Sequence, residues 1–404
     1  MTEIKRKKIA IVYPDMTLNR GTQNAIAWLL EKTDHRRFDL HLITLQFDAS
    51  LWPQLINSIT VTIIDTRLFG LFRTRSSFVQ SLAMAGQLRK ILTPFDVVCA
   101  ENYPANMWVW QALKRIRKRP RLIYFCQEPS RHLWHRTTDI HEDELYKRYS
   151  CPPDHDGFFE KLRKKSRRTL DVKAVQWFDR ILCNSEYSRA FIGRIYSVNP
   201  AVCYIGIPHT APQLPERSKR GPVIICIAPL IKEKDPLTAL EAFRILYARL
   251  DKIKPVLYLI GKGVLEETVS TYISNNLLKE SVIRKTYVDD TEKNALLSQS
   301  RIGLYFGVDE PFGLTVLEYM QSGVVPIVYD HGGPQEIVLK TGAGFAITTF
   351  DAAAAATVME RLILDDTLYQ SHAARGAQQV SKLFGMRDYI KIMERMFEPS
   401  AEDS

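Results

Sequence analysis

Short apolar runs recur along the first half of the chain, and stretches with helical spacing separate most of them. The runs predict strands at residues 8–13, 39–44, 61–64, 97–100, 121–125 and 180–184. Apolar residues at helical spacing predict helices at residues 22–32, 78–92, 107–117 and 158–178. This alternation predicts a parallel sheet with helices on both faces, in which ligands bind at the carboxyl ends of the strands.

The second half repeats the pattern. Strands are predicted at residues 222–228, 255–260, 282–288, 302–306 and 324–328, and helices at residues 237–249, 314–321 and 384–397. A polar, proline-rich stretch at residues 208–222 separates the halves and is typical of an interdomain linker. We therefore expect an α/β protein with domains at residues 1–207 and 223–383, followed by a C-terminal helical segment at residues 384–404.

Length and composition agree with that organisation. The 404 residues suffice for two domains, and a content of 46% hydrophobic and 25% charged residues is typical of a soluble globular protein. No apolar run approaches the ~18–20 residues that span a bilayer. The run after the charged N-terminus ends at Pro14, too early for the core of a signal peptide. The six cysteines are scattered without a Cys-x-x-Cys pair, which indicates reduced thiols and predicts a cytoplasmic protein.

The net charge of +10 is concentrated in the first half. Residues 1–210 hold 33 lysines and arginines against 20 aspartates and glutamates, whereas the remainder holds 22 against 25. Basic residues cluster on the predicted helix 158–178 and at residues 114–121. Three interpretations stay open: peripheral contact with an anionic membrane at its inner face, a charged acceptor such as a lipid-linked phosphate, or a solvated helix face. Nucleic acid is disfavoured as a partner, because the clusters lack interleaved aromatic residues and a recognised binding motif.

One strand–loop–helix–strand unit in the second half carries the most specific chemistry. The helix begins with amides of Gly313, Leu314 and Thr315, which form a site for a phosphate or diphosphate. Glu318 cannot bind that phosphate, because like charges repel, but its carboxylate can accept hydrogen bonds from a ribose hydroxyl pair. Glu310, in the loop, can hold the hydroxyls of a sugar. The alternative is that Glu310 is a solvated loop residue and Glu318 a favourable helix charge.

The two glutamates form a Glu–seven residues–Glu pattern with Pro-Phe-Gly inside it and Gly-x-x-Pro-Ile-Val after it. Together with the run Gly-Gly-Pro-Gln-Glu-Ile-Val at residues 332–338, the pattern resembles retaining glycosyltransferases of the GT-B fold. More narrowly, it is similar to the family-four group, which includes mannosyl- and glucosyltransferases. The resemblance implies two doubly wound, Rossmann-like domains facing across a cleft, with the C-terminal helix crossing back onto the first domain.

The resemblance also implies a reaction. A hexose would pass from a GDP- or UDP-linked sugar to an acceptor hydroxyl of a glycan, polysaccharide or glycolipid, with retention at the anomeric carbon. No metal and no cofactor are expected, because protein cations and helix amides neutralise the diphosphate, and the leaving phosphate takes the acceptor's proton. Glu310 would position the donor sugar, Glu318 the ribose, and Phe312 would lie with the following amides at the nucleotide.

This chain retains only some of the positively charged residues that the family places near the diphosphate. Lys234 matches the lysine that neutralises the leaving diphosphate in the family, but the family's arginine position is Pro229 here. In the first domain, Arg20 and Gly21 stand where many members have a glycine pair facing the donor phosphate. The hypothesis is that Lys232 or Arg20 supplies the missing cation. The alternatives are a surface arginine beside a turn glycine and an ordinary lysine at a helix start.

The loop after the strand at residues 121–125 resembles the His-Glu-Pro with a following arginine of a mannosyltransferase-rich subset. The chain keeps Glu128 and Arg131 but has Gln127 at the histidine position, and all three are expected to face the acceptor or the sugar. Glutamine can hydrogen-bond a hydroxyl but cannot carry a proton, so we favour an orienting role; a proton-transfer role would put activity in doubt. His132 and His135 lack a third metal ligand and are interpreted as ordinary surface or core residues.

The changes at Pro229 and Gln127 keep a second hypothesis open, a non-catalytic or specialised sugar- or polysaccharide-binding protein on the same fold. The intact pair of glutamates and the lysine at position 234 favour the enzyme. The two hypotheses differ in one observable, which is transfer or hydrolysis of a nucleotide sugar.

Overall fold

The computed structural model describes residues 6–65, 77–131, 133–134, 142–149, 157–208, 220–250 and 252–398. The chain divides into two compact units. Unit 1 comprises Met1–Thr137, Asp154–Gly206 and Met386–Ser404, and unit 2 comprises Thr138–Pro153 and Ile207–Gly385. Both histidines considered above and residues 209–219 of the predicted linker lie outside the described residues.

Strands and helices alternate along both units. The strands are β1 (Lys7–Val12), β2 (Asp15–Met16), β3 (Phe38–Thr44), β4 (Gln46–Phe47), β5 (Thr60–Ile63), β6 (Val97–Glu101), β7 (Arg121–Phe125), β8 (Arg180–Cys183), β9 (Ala201–Val202), β10 (Val223–Ile227), β11 (Val256–Ile260), β12 (Val282–Lys285), β13 (Ile302–Tyr305), β14 (Val325–Tyr329) and β15 (Phe345–Ile347). The helices are α1 (Gly21–Lys32), α2 (Pro53–Ile56), α3 (Ser77–Leu92), α4 (Ala105–Leu113), α5 (Glu142–Arg148), α6 (Phe158–Gln176), α7 (Glu186–Tyr196), α8 (Pro236–Arg249), α9 (Glu266–Asn275), α10 (Asp290–Gln299), α11 (Leu314–Gln321), α12 (Gly332–Thr341), α13 (Ala352–Leu364), α14 (Asp366–Leu383) and α15 (Met386–Phe397). In the described part of the chain, each helix is too short or too polar to cross a bilayer.

The sheet of unit 1 is parallel, with strand order β5-β3-β1-β6-β7-β8-β9. Its central strand β1 pairs with β3 on one side and with β6 on the other, so that Ile9 lies between Leu40 and Val97. Helices cover both faces, which is why these strands are continuous apolar runs rather than alternating ones. The strand order reverses between β1 and β6, and a doubly wound sheet binds its ligands at that point.

The sheet of unit 2 is also parallel, in the order β12-β11-β10-β13-β14-β15. Here the reversal falls between β10 and β13, which are hydrogen-bonded neighbours from Ile224 to Cys226. The apolar core of this unit includes Ile224, Phe243 and Leu304, all with fully buried side chains. The predicted doubly wound α/β fold is therefore confirmed, and each unit has one ligand-binding edge.

The C-terminal helix α15 belongs to unit 1, which the chain re-enters at Met386. The ring of Phe397 packs edge-on against Phe38, with ring centroids 5.7 Å apart. Beyond the helix, Glu398 forms ion pairs with Lys7 at 3.1 Å and with Arg37 at 2.9 Å. These contacts attach the end of the described chain to its first two long strands.

The predicted first domain at residues 1–207 needs one correction. Thr138–Pro153 interrupts it and belongs to unit 2. Helix α5, which lies in this segment, was not predicted. Leu145 and Tyr149 are buried in the apolar core of unit 2, and this burial explains why the segment leaves its sequence neighbours.

Candidate active site

An ion pair occupies the ligand-binding edge of unit 2. Lys234 ends a short 3-10 turn (Lys232–Lys234) in the loop after β10, and Glu310 lies in the loop after β13. Lys234 Nζ contacts Glu310 Oε2 and also donates to the hydroxyl of Tyr305 at 3.0 Å. The two charged side chains are only 14% and 16% exposed. Because β10 and β13 flank the reversal of strand order, their loops meet where this fold binds ligands.

The pair keeps a cation in place at this edge. Burial by itself lowers the pKa of Lys234, but the neighbouring Glu310 and Tyr305 outweigh burial, and the pKa of Lys234 lies above its usual range. Burial and Glu310 also raise the pKa of Tyr305, so its phenol stays protonated. The site can therefore offer an ammonium to an anion and a carboxylate to hydroxyl groups.

A glycine pair at the start of α12 holds the loop that carries Glu310. The amide of Gly333 donates to the carbonyl of Glu310 at 2.8 Å, and the amide of Asp309 donates to His331 Nε2 at 3.1 Å. A Cβ atom on Gly333 would lie 2.3 Å from Phe312 Cα, a distance that real side chains do not tolerate. Only glycine permits this approach, so the Gly-Gly-Pro run in the sequence serves to fix the backbone at Glu310.

Helix α11 begins beside the ion pair. Gly313 is its N-cap, with φ of 111°, and the following Leu314 and Thr315 are partly exposed. The first amides of a helix have no partner within the helix, so these residues can bind an anion. Phe312 is different, because its ring is 3% exposed and packs against Phe384 with ring centroids 6.0 Å apart. The ring is thus part of the packing of unit 2, and a contact of Phe312 with the nucleotide stays a prediction.

Glu318 has a charged partner that sequence reasoning missed. Lys293 Nζ, from α10, lies 3.1 Å from Glu318 Oε1 and 3.1 Å from Asp290 Oδ1. Burial lowers the pKa of Lys293, but Glu318 and Asp290 outweigh it and raise the pKa of Lys293 overall. Both partners of the Glu318 ion pair are partly buried. The 25 residues that separate them give no periodic signal by which the sequence could have indicated this contact.

In unit 1, Gln127 is buried and both ends of its side-chain amide are hydrogen-bonded. Nε2 donates to Glu101 Oε2 at 3.2 Å, and Oε1 accepts from Thr22 Oγ1 at 3.2 Å. The backbone amide of Gln127 donates to Asn102 Oδ1 at 2.7 Å. The side chain is thereby held in one orientation between α1 and the end of β6, which favours the orienting interpretation of this position.

Glu101 is the second residue that sequence reasoning missed. It ends strand β6 at the reversal of strand order and is 1% exposed. Burial raises the pKa of Glu101 to about 8, although hydrogen bonds from Gln127 and Cys99 lower it. A carboxylate directly after the predicted strand at residues 97–100 was the available signal, because polar residues at strand ends are typical of ligand edges.

The remaining predicted residues of unit 1 are more exposed. Glu128 and Arg131 form an ion pair with each other, with Arg131 Nε contacting Glu128 Oε1. Arg20 and Gly21 are exposed at the start of α1, where Arg20 is the N-cap. Pro229, at the family's arginine position, is exposed in the loop of Lys234. A contact of any of these residues with a ligand stays a prediction.

Two family models together match most of the chain. The model of Glycosyltransferase Family 4 matches residues 20–211, and that of glycosyl transferases group 1 matches residues 211–379. The uncharacterized glycosyltransferase YqgM of Bacillus subtilis is 27% identical over 42% of the chain and 48% of its own length, so the chain spans about half of that relative. The mouse alpha-1,3/1,6-mannosyltransferase ALG2 is 25% identical over 72% of the chain and 70% of its own length.

A solved structure shares the architecture. HepE of Anabaena, crystallised with UDP and glucose, superposes with a TM-score of 0.73 at 15% identity and covers 97% of the chain and 99% of its own length. At this identity the likeness concerns the fold. The shared fold consists of two Rossmann-like units, each with a parallel sheet as described above.

Proposed function

Because the chain belongs to the glycosyltransferases of family-four type with the GT-B fold, we propose that it moves mannose or glucose from a GDP- or UDP-linked sugar. The acceptor is a hydroxyl group of a glycan, polysaccharide or glycolipid, and the anomeric configuration is retained. The observation that carries the proposal is the ion pair of Lys234 and Glu310 at the ligand-binding edge of unit 2.

In the proposed reaction, the bond from the anomeric carbon to the diphosphate breaks, and a bond to the acceptor oxygen forms on the same face. The acceptor's proton passes to an oxygen of the leaving phosphate, so no protein base is needed. Negative charge develops on the diphosphate, where the ammonium of Lys234 and the first amides of α11 stabilise it. Glu310 accepts hydrogen bonds from the sugar hydroxyls, and Glu318 accepts them from the ribose.

The variant Glu310→Gln tests this proposal. It keeps the size of the side chain and removes the charge, so we expect transfer and hydrolysis to be abolished while GDP or UDP still binds. Turnover of GDP-mannose and UDP-glucose, with nucleotide binding by calorimetry, measures both effects. Glu280→Gln, at an exposed glutamate of unit 2, is the matched control. Normal turnover of the Glu310 variant would refute the assigned role.

The named activity of the mouse relative supports mannose as the first sugar to test, and the ligands of HepE support UDP-glucose as the second. The alternative function is sugar or polysaccharide binding without catalysis. If the wild-type protein neither transfers nor hydrolyses any common nucleotide sugar, the alternative is the better account. The side-chain amide of Gln127 is held at both ends by hydrogen bonds. This supports the enzyme, because we favour an orienting role at this position over proton transfer, and a fixed amide can fill an orienting role.

The basic helix α6 supports an anionic partner on the side of unit 1. It exposes Phe159 (82%) and Leu162 (55%) among its lysines and arginines. Apolar side chains on a basic helix are typical of peripheral contact with an anionic membrane, here at the inner face. Sedimentation with phosphatidylglycerol vesicles should exceed that with phosphatidylcholine vesicles and fall in the variant Phe159→Ser. Equal binding to both vesicles would contradict a preference for an anionic membrane, and no binding to either would contradict membrane contact.

A further inference from the structure

The segment Thr138–Pro153 brings side chains to unit 2 next to Lys234. Its described residues are helix α5 and Tyr149, which follows the helix. Leu145 and Tyr149 are buried in the apolar core of unit 2. The rest of unit 2 begins only at Ile207, yet the segment is part of the core of that unit. The positions of Arg148 and Tyr149, next to this buried part of the segment, are therefore defined within unit 2.

Two of these polar side chains contact Asp235, the residue that follows Lys234. The hydroxyl of Tyr149 donates to Asp235 Oδ1 at 2.6 Å and accepts from the amide of Leu237 at 3.2 Å. Arg148 Nε lies 3.3 Å from the same carboxylate oxygen, and Arg148 Nη2 lies 3.0 Å from Glu241. Arg148 and Tyr149 thus bind both the last residue of the lysine loop and the first turns of α8.

Asp235 has a backbone conformation that needs such support. Its φ of 37° and ψ of 61° are left-handed, and a residue with a Cβ atom adopts this conformation at a cost of about 1–2 kcal/mol. The side chain is fully buried, and its Oδ1 caps α8 by accepting from the amide of Thr238. Its Oδ2 accepts from Thr238 Oγ1 at 2.6 Å and from the hydroxyl of Tyr329. Strained residues persist where surrounding contacts over-determine them, and such residues are common at active sites.

We propose that Tyr149 and Arg148 are positioning residues for Lys234. By holding Asp235 in the left-handed conformation, they fix the turn from the lysine loop into α8, and with it the direction in which Lys234 reaches Glu310. The catalytic consequence rests on the proposed function. The positioning itself is a property of unit 2 and can be measured without turnover.

The first experiment measures the reactivity of Lys234 in Tyr149→Phe. Limiting acetic anhydride acetylates the free amine, and mass spectrometry of the peptide containing Lys234 gives the rate. We expect the rate to rise about threefold or more, since a pKa decrease of half a unit triples the free amine. Tyr369→Phe is the control, because it removes a buried tyrosine hydroxyl of unit 2 that bonds the carbonyl of Gly323 at 3.1 Å. An unchanged rate in Tyr149→Phe, or an equal rise in the control, would overturn the proposal.

The second experiment measures turnover of GDP-mannose and UDP-glucose in the same proteins. We expect Tyr149→Phe to lower kcat about tenfold with KM little changed, because the charge on the leaving group is stabilised less well. The control Tyr369→Phe should keep the wild-type kcat at a similar loss of thermal stability. If the wild type has no turnover, the proposed function fails, and the acetylation rate alone decides the positioning role.

Discussion

The edges at which the strand order reverses have the same topology in the two units but different electrostatics. In unit 2, Lys234 and Glu310 carry opposite charges in contact with each other. In unit 1, Gln127 is neutral and Glu101, with a pKa of about 8, is protonated at neutral pH. The comparison indicates that strand order determines where such a sheet can bind a ligand, whereas the charges of the side chains at that edge determine which chemical class of ligand fits there. The fixed cation of unit 2 suits a diphosphate, and the uncharged pair of Gln127 and Glu101 in unit 1 suits hydroxyl groups.

The physical origin of the difference is the partner of each carboxylate. Glu310 forms an ion pair with the ammonium of Lys234. Glu101 is hydrogen-bonded by an amide at 3.2 Å and by the thiol of Cys99 at 3.7 Å, and neither group carries a charge. Burial therefore dominates at Glu101 and retains its proton.

The largest effect is expected for Lys234→Met, which removes the cation from unit 2. We expect turnover to fall by about two to three orders of magnitude, the usual effect of losing one group that stabilises a developing charge. Leaving Glu310 unpaired should also cost on the order of 3 kcal/mol in stability. Turnover and thermal unfolding measure the two effects, with Lys262→Met at an exposed site of the same unit as control. Turnover within tenfold of the wild type would show that catalysis does not depend on the charge of Lys234.

The next largest effect concerns Glu101 in unit 1 and is a dependence of stability on pH. Below the usual value of 4.5, Glu101 is protonated in the folded and unfolded states, and the stability is fully present. As pH rises toward 8, the unfolded state loses the proton first, so the wild type loses stability, by about 4 kcal/mol between pH 5 and 9. Glu101→Gln lacks this loss. Its thermal midpoint should therefore rise relative to the wild type as pH rises, by roughly 10 °C over that range.

The groups that face Glu101 do not titrate in the same range, because each has a raised pKa. They are Tyr13, Cys99, Tyr124, Cys203 and Tyr389. The difference between wild type and variant thus reports on Glu101. Parallel pH profiles of the two proteins would mean that Glu101 is ionised in the folded state and that the two edges are more alike than we infer.

The smallest effect concerns Glu318→Gln in unit 2. Loss of one charge-assisted hydrogen bond from the ribose should weaken GDP or UDP binding about tenfold, as measured by calorimetry. Stability should change by less than about 1 kcal/mol, because the ion pair with Lys293 is partly exposed. Lys293→Met removes the same ion pair but keeps the carboxylate, so its affinity should remain. Equal weakening in both variants would assign the effect to the ion pair rather than to a ribose contact.

Sequence patterns predicted the fold closely, because buried parallel strands are continuous apolar runs. The pattern around the helix start also led to Glu310, and the family resemblance led to Lys234; their loops follow strands that the topology makes neighbours. Sequence patterns did not reveal Lys293 or Tyr149, since a contact between distant segments depends on how helices pack and leaves no periodic trace. Glu101 differs from them, because it directly follows the predicted strand at residues 97–100, and this local signal was present in the sequence but was not used.

The protein chain passes between its two units four times, at Thr137, Pro153, Gly206 and Gly385. During synthesis on the ribosome, unit 1 cannot acquire α15, nor its ion pairs from Glu398 to Lys7 and Arg37, until almost the whole chain has emerged. Tyr149 likewise waits for Asp235, which is translated 86 residues later. Neither unit can therefore finish folding before the other is largely made, and a chain that stops before Gly385 would leave both cores incomplete.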